Sequence, residues 1–214
     1  DHSHIHPEEF KRIGGEQGLT AQLDFACLKS FLDYYSQRKD TLFHDNGIQN
    51  LFFTMDESTF LDRNFIAKVA EYTSEFKVPS RTLVLAFDAS FLEKNMELAR
   101  SRIRDLHEIK VLLFVRHLHP GKESPQRFAE IGVDGIGLSP VSLADALNNE
   151  SDRMAYASAV NEITSNNLVP ICGGVKSEDG IRFVQDLGVP YAYGSYCGEA
   201  LSPNEFETLL SYHQ

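Results

Sequence analysis

The sequence predicts an α/β fold built on a parallel sheet, and two patterns support this prediction. Short segments rich in Val, Ile, Leu and Phe alternate with longer, charged segments of helical periodicity along the 214 residues. The apolar segments are continuous, which is typical of strands buried on both faces, although a buried helix piece would read the same way. Regular alternation of strands and helices implies right-handed βαβ units, the repeating unit of a barrel.

Six strands and six helices account for most of the chain. Because an eight-unit barrel usually takes about 250 residues, we expect a barrel whose start is missing or shortened, forming a single domain over residues 1–214. The helix that begins after Ser177 has a favourable N-cap, and the polar segment 148–152 is expected to be a surface loop. The predicted strands are 51–53, 82–87, 110–115, 135–138, 168–172 and 191–193, and the predicted helices are 19–37, 60–76, 92–107, 126–131, 152–166 and 177–187.

Composition excludes several classes of function. The chain has 20 Lys and Arg against 31 Asp and Glu, a formal net charge of −11, which disfavours binding to nucleic-acid polymers and to anionic membranes. No apolar run approaches the roughly 18–20 residues of a membrane span. Three widely spaced Cys do not form a disulfide framework and indicate a reducing compartment. We expect a cytoplasmic domain, and the start at Asp1 leaves open a longer, membrane-anchored protein.

The candidate chemistry lies after the predicted strands. Arg116 and His117 follow the strand 110–115, at the end where barrels bind their ligands. The turn Gly173–Gly174 either lets a phosphate approach the backbone or only permits a tight turn. The HxH pair His4 and His6 has metal-ligand spacing, but an exposed polar terminus explains it better. Carboxylates are nearly absent from the predicted strand ends, and no GxSxG, P-loop or GxGxxG motif is present.

Several segments resemble, in chain order, the motifs of one family. They are Pro7–Phe10 with Gly18–Leu19, Phe53–Ser58, Leu83–Ser90, Val111–Gly121, Val133–Ser139, Gly173–Lys176 and Leu187–Gly194. On these segments the chain resembles the EAL domain family, cyclic di-GMP phosphodiesterases with one or two divalent metals. The resemblance implies a modified TIM-like (β/α) barrel of the EAL type with the first strand or strands missing or truncated, because the strand that carries Glu-Ala-Leu has no counterpart in this sequence.

The same resemblance implies that the metal-binding and catalytic residues are replaced. Asp56 stands for a metal-binding Asn, Ala86 for a metal-binding Glu, Arg116 and His117 for two Asp, Gly137 for the catalytic Lys, Gly173 and Lys176 for two Glu, and Tyr193 for a Gln. Mg²⁺ needs several oxygen ligands, and cationic side chains at these positions repel it. We therefore expect a degenerate member with no catalytic residue and no metal.

Three functions follow as hypotheses. The first is a catalytically inactive EAL-like domain that acts in bacterial signalling or motility through a protein partner or a homodimer. The second is a metal-free receptor, in which cyclic di-GMP would be the ligand and no other cofactor is expected. The third is an unrelated phosphate-binding TIM-barrel enzyme that uses the turn Gly173–Gly174. The candidate ligand-binding residues, on the former active-site face, are Asp56, Arg116, His117, Lys176 and Tyr193.

Overall fold

The computed structural model describes Gly15 and residues 18–211, and it confirms the α/β fold. Six strands form one parallel sheet in the order β1-β2-β3-β4-β5-β6, curled into a half-barrel with helices on its outer side. Because all strands run in the same direction, their carboxyl ends share one edge of the sheet. The strands are β1 (Leu51–Thr54), β2 (Leu83–Asp88), β3 (Leu112–Leu118), β4 (Gly135–Leu138), β5 (Val169–Gly173) and β6 (Tyr191–Tyr193).

Ten α-helices surround the described sheet. A π-helical segment, Lys39–His44, continues the first of them. No described helix combines the length and apolar character that a membrane span requires. The helices are α1 (Thr20–Arg38), α2 (Glu57–Leu61), α3 (Phe65–Glu75), α4 (Ala89–Lys94), α5 (Met96–Glu108), α6 (Pro125–Ile131), α7 (Pro140–Asn148), α8 (Glu150–Ser165), α9 (Glu178–Asp186) and α10 (Pro203–Ser211).

The two faces of the sheet bury separate apolar clusters. Alternate residues of β2, such as Leu85 and Phe87, belong to the large core that the helices cover. Ala86, between them, belongs to a small inner cluster that also includes Phe114 of β3 and is packed against Ile171 of β5. Since successive side chains of a strand point to opposite faces, burial on both faces explains the continuous apolar runs in the sequence.

A mostly buried carboxylate joins strands at the amino edge of the sheet. Asp134, just before β4, is 12% exposed, and its Oδ2 accepts a hydrogen bond of 2.9 Å from the backbone N–H of Leu113. The same oxygen lies 2.9 Å from Nε2 of His107, and Oδ1 lies 3.3 Å from Nη2 of Arg81. Asp134 thereby connects β3 to β4 and both strands to the helix layer.

The helices connect the two ends of the described chain. Phe206 of α10 lies 6.1 Å from Phe43, measured between ring centroids. The carboxylate of Glu207 accepts a hydrogen bond of 3.0 Å from the Tyr34 hydroxyl and pairs with Arg38. In the described sheet, β1 and β6 are the two edges and do not pair with each other. The first and last elements therefore meet through side chains.

The predicted helices differ from the structure in several places. The helix predicted over 60–76 is broken after Leu61, and the helix predicted over 92–107 is broken at Asn95, whose Nδ2 donates to the carbonyl of Phe91. The helices α7 and α10 were not predicted. The predicted loop 148–152 is only a junction, because Asn149 caps α8 by accepting the N–H of Ser151 at 2.8 Å.

We predict that Asp134→Ala lowers the free energy of unfolding by about 1–3 kcal/mol, because it leaves the buried N–H of Leu113 without an acceptor. Urea denaturation followed by circular dichroism measures the change. The control is Asp105→Ala, which removes a carboxylate paired with Arg104 on the surface and should cost about 0.5 kcal/mol or less. Equal losses in both variants would contradict the role assigned to Asp134.

Candidate functional site at the carboxyl edge of the sheet

The strands β2 and β3 bring two charged residues together at the carboxyl edge. Their register pairs Ala86 with Phe114 and, two residues later, Asp88 with Arg116. Ala86 and Phe114 belong to the inner cluster, so the alternation of side chains places Asp88 and Arg116 on the same inner side. The sequence thus ends an apolar inner face with one acidic and one basic side chain.

A β-bulge adds a third group to this pair. The register between β3 and β4 shifts between Val115 and Leu118, and His117 adopts a left-handed backbone conformation with φ of 59°. Regular alternation would point His117 to the outer face, where Leu118 is buried. The bulge turns the imidazole toward Asp88. A left-handed conformation costs a non-glycine residue about 1–2 kcal/mol, so it persists only where surrounding contacts enforce it.

Each oxygen of Asp88 has one partner. Nη2 of Arg116 lies 2.8 Å from Oδ2, and Nδ1 of His117 lies 2.8 Å from Oδ1. Burial alone would raise the pKa of Asp88, but the hydrogen bond from His117 and the charge of Arg116 outweigh it and lower that pKa below its ordinary value. We call Asp88, Arg116 and His117 the carboxyl-edge cluster.

Tyr193 lies on the same side of the sheet. Its register partner is Gly173, and a side chain at position 173 would clash with the hydroxyl end of Tyr193. Burial raises the pKa of the Tyr193 phenol, and the positive charge of Arg116 opposes this shift. Tyr193 therefore occupies the space that Gly173 leaves free, while half of the residue stays exposed.

The other two predicted site residues are not part of the cluster. Asp56 caps α2, since its Oδ1 accepts the backbone N–H of Ser58 at 2.9 Å and the Ser58 hydroxyl at 2.7 Å. Lys176 is exposed, and its side chain forms no ion pair with another residue of the described part. From the predicted set, the structure thus brings Arg116 and His117 together at Asp88 and places Tyr193 on the same side of the sheet.

The sequence predicts strand ends with almost no carboxylates, and the structure places one of the few, Asp88, at the end of β2. The strand was expected to end at Phe87, so Asp88 fell outside it, whereas β2 includes it. Its signal was present in the sequence, because Asp88 is the first polar residue after five apolar ones and lies at the end of a strand that neighbours Arg116 in the predicted order. If β2 is extended to Asp88 and aligned with β3, Asp88 pairs with Arg116.

The donor set of the carboxyl-edge cluster does not fit a divalent metal. Mg²⁺ requires near-octahedral coordination by oxygen, and the only carboxylate of the cluster already bonds to a guanidinium and an imidazole. Within Gly15 and residues 18–211, no group of three His, Cys, Asp or Glu side chains is placed to hold a metal ion. The HxH pair, His4 and His6, lies outside the described residues, as does the motif segment Pro7–Phe10.

Comparison with protein families decides the identity of the fold. The model of the EAL domain matches residues 1–200. The chain belongs to the EAL family. The resemblance inferred from the sequence is thereby confirmed, and the alternative of an unrelated phosphate-binding barrel enzyme is wrong. A search of curated protein sequences gives no significant match.

Solved EAL structures share the fold at low sequence identity. The complex of PaMucR phosphodiesterase with c-di-GMP matches with a TM-score of 0.87 at 15% identity, covering 96% of this chain and 83% of that one. The EAL domain of Mycobacterium smegmatis DcpA matches with 0.74 at 19%, covering 86% and 82%. The FimX EAL domain from Pseudomonas aeruginosa bound to c-di-GMP matches with 0.79 at 14%, covering 90% and 75%. The half-barrel is therefore an EAL-type fold.

We predict that Asp88→Asn destabilises this EAL domain by about 1 kcal/mol at pH 7, a magnitude typical of a partly exposed ion pair. The folded pKa of Asp88 is lowered, so its stabilisation is complete above the unfolded carboxyl pKa of about 3.9 and is lost as pH falls through the folded pKa. Urea denaturation between pH 7 and pH 3 should show a constant gap between wild type and variant that narrows below about pH 4. A gap that widens on acidification would contradict the assignment.

Proposed function

We propose that this EAL domain does not hydrolyse cyclic di-GMP and acts in cyclic di-GMP signalling by binding a protein, either a partner or a second copy. The observation that supports this proposal is the carboxyl-edge cluster, in which Arg116 and His117 occupy both oxygens of Asp88. These two residues stand where the family resemblance places two acidic residues that bind metal.

The cluster disfavours metal-dependent hydrolysis for an electrostatic reason. In such chemistry a metal activates a water molecule and stabilises the charge that develops on the phosphate. A divalent cation near Asp88 would lie beside the guanidinium of Arg116 and would compete with it for the same carboxylate. The neighbouring inner-face positions Ala86 and Gly137 carry no side-chain donor. The described inner face thus lacks the oxygen ligands that a metal would need.

A protein-binding role is supported by exposed apolar side chains in the last part of the chain. Large apolar patches on a protein surface commonly mark interaction sites. Between residues 191 and 209, five large side chains are each more than two-fifths exposed: Tyr191, Tyr193, Tyr196, Leu201 and Leu209. We call these five residues the C-terminal apolar set. They follow β5 in the chain, and two of them belong to the edge strand β6.

A second candidate function is metal-free binding of cyclic di-GMP. Arg116 supports it, because a guanidinium can clamp a phosphate without a metal, and Arg116 keeps donors that Asp88 does not use. The half-exposed ring of Tyr193 offers a surface on which a base could stack. The FimX EAL domain of Pseudomonas aeruginosa, which shares the fold, is described as bound to c-di-GMP.

We predict that the chain yields no linear dinucleotide when incubated with cyclic di-GMP and Mg²⁺ or Mn²⁺, because the cluster offers no free oxygen ligands. Chromatography of the nucleotides after overnight incubation measures this. An active EAL phosphodiesterase, treated in parallel, controls for the assay. Linear product that scales with the amount of this protein would overturn the proposal.

We predict that the purified chain self-associates through the C-terminal apolar set. Light scattering after size-exclusion chromatography should give a mass above that of a monomer for the wild type. The double substitution Tyr196→Ser with Leu201→Ser should return the mass to that of a monomer, because it removes apolar area from the contact. The matched control is Val141→Ser, which alters an exposed apolar residue elsewhere. A wild type that stays monomeric at high concentration would contradict self-association.

A further inference from the structure

Arg116 has hydrogen-bonding capacity that its contact with Asp88 leaves unused. A guanidinium carries five N–H donors. Among them, Nη2 bonds to Asp88, whereas Nε is buried and has no partner among the described residues. A buried donor without an acceptor is unfavourable. The position of Nε at the carboxyl edge therefore suggests that an acceptor from outside the described chain completes its hydrogen bonding.

The Asp88 side chain has a second possible position, in which it would cap α4. It occupies the N-cap position of α4 with extended backbone angles, φ of −68° and ψ of 137°, but its side chain makes no capping hydrogen bond. Asp is among the preferred N-cap residues, because its oxygen accepts an N–H from the first turn of the helix. The carboxylate instead turns to Arg116 and His117. Two arrangements of Asp88 are thus available from one backbone position.

Asp134 provides a comparison with the same chemistry. It also pairs with one Arg and one His, but in addition it accepts a backbone N–H and is 12% exposed. Asp88 is 31% exposed, and its hydrogen bonds within the described chain go only to side chains. The carboxylate of Asp134 is fixed by the backbone, whereas Asp88 can leave its partners without exposing a buried main-chain group.

We propose that the carboxyl-edge cluster is a binding site for a phosphate group and that Asp88 is its displaceable internal anion. In the structure Asp88 occupies Arg116 and His117. When a phosphate binds, its oxygens take the places of Oδ1 and Oδ2 and accept from Nε of Arg116, and the Asp88 side chain moves to cap α4. This inference rests on the second candidate function, metal-free binding, and adds a mechanism in which Asp88 balances the positive charge of the site until a phosphate replaces it.

The ligand chemistry is a phosphate ester or a free phosphate. Arg pairs with phosphate through two parallel N–H bonds, and an imidazole that donates from Nδ1 adds a third. A carboxylate left in place would repel the anion, so the wild type should bind weakly. The side chain of an amide at position 88 carries no charge and can still cap α4. The variant Asp88→Asn therefore removes the competitor and keeps the helix.

The test is calorimetric titration of the full chain in EDTA with cyclic di-GMP and, separately, with inorganic phosphate. We expect Asp88→Asn to bind at least one of the two probes about tenfold more tightly than the wild type. A higher affinity for cyclic di-GMP indicates a phosphodiester ligand, and a higher affinity for inorganic phosphate indicates free phosphate. Adding Arg116→Gln to Asp88→Asn should abolish binding. The matched control is Asp134→Asn, which neutralises the other Asp–Arg–His group and should leave affinity unchanged. Thermal melts confirm that each variant is folded.

Hydrogen exchange gives a second measurement, because a merely structural ion pair would not change amide protection when the ligand binds. Saturating ligand should increase protection of the backbone amides of Ser90 and Phe91 in the wild type, because Asp88 caps them, and should not do so in Asp88→Ala. Affinity that stays equal or falls in Asp88→Asn, or an equal gain in Asp134→Asn, would overturn the inference. None of these outcomes changes the hydrolysis assay, so failure here and failure of the proposed function are distinguishable.

Discussion

Asp88 and Arg116 occupy paired positions of two parallel strands, and the chemistry of the carboxyl edge depends on that register. A slip of one residue would turn either side chain to the helix-covered face, where a charge could not be accommodated. The same register sets the apolar inner layer below, with Ala86 beside Phe114. The core and the charged edge are therefore specified together by one strand pairing.

Two groups of identical composition, one Asp with one Arg and one His, lie at opposite edges of the same sheet. The group around Asp134 joins strands to helices, because it includes a backbone amide. The group around Asp88 joins only side chains and depends on a strained residue, His117. Residue type alone does not separate a structural ion pair from a functional one. The observed differences between the two groups are the backbone contact of Asp134 and the left-handed conformation of His117.

The sequence predicts the strands well, because burial on both faces gives continuous apolar runs that need no knowledge of neighbours. Arg116 and His117 are candidate site residues because they follow such a run. Their contact with Asp88 depends on register and on a bulge, and both arise from pairing between segments far apart in the chain. The helix break at Asn95 is also not predictable from the sequence pattern. The Asn95 amide bonds to the carbonyl of Phe91 in the preceding helix, and this contact does not alter the hydrophobic periodicity.

The order of strands in the described sheet equals their order in the chain, so each strand is hydrogen-bonded only to the one before it and the one after it. This arrangement is close to that of a solenoid, in which stability is a sum of units and nearest-neighbour interfaces. An outer unit of such an array can detach while the pairing of the others stays intact. In the described part, the contacts of Tyr34, Arg38 and Phe43 with α10 are what bind the last unit back to the first. We therefore expect those side chains to couple the unfolding of the two ends of the sheet.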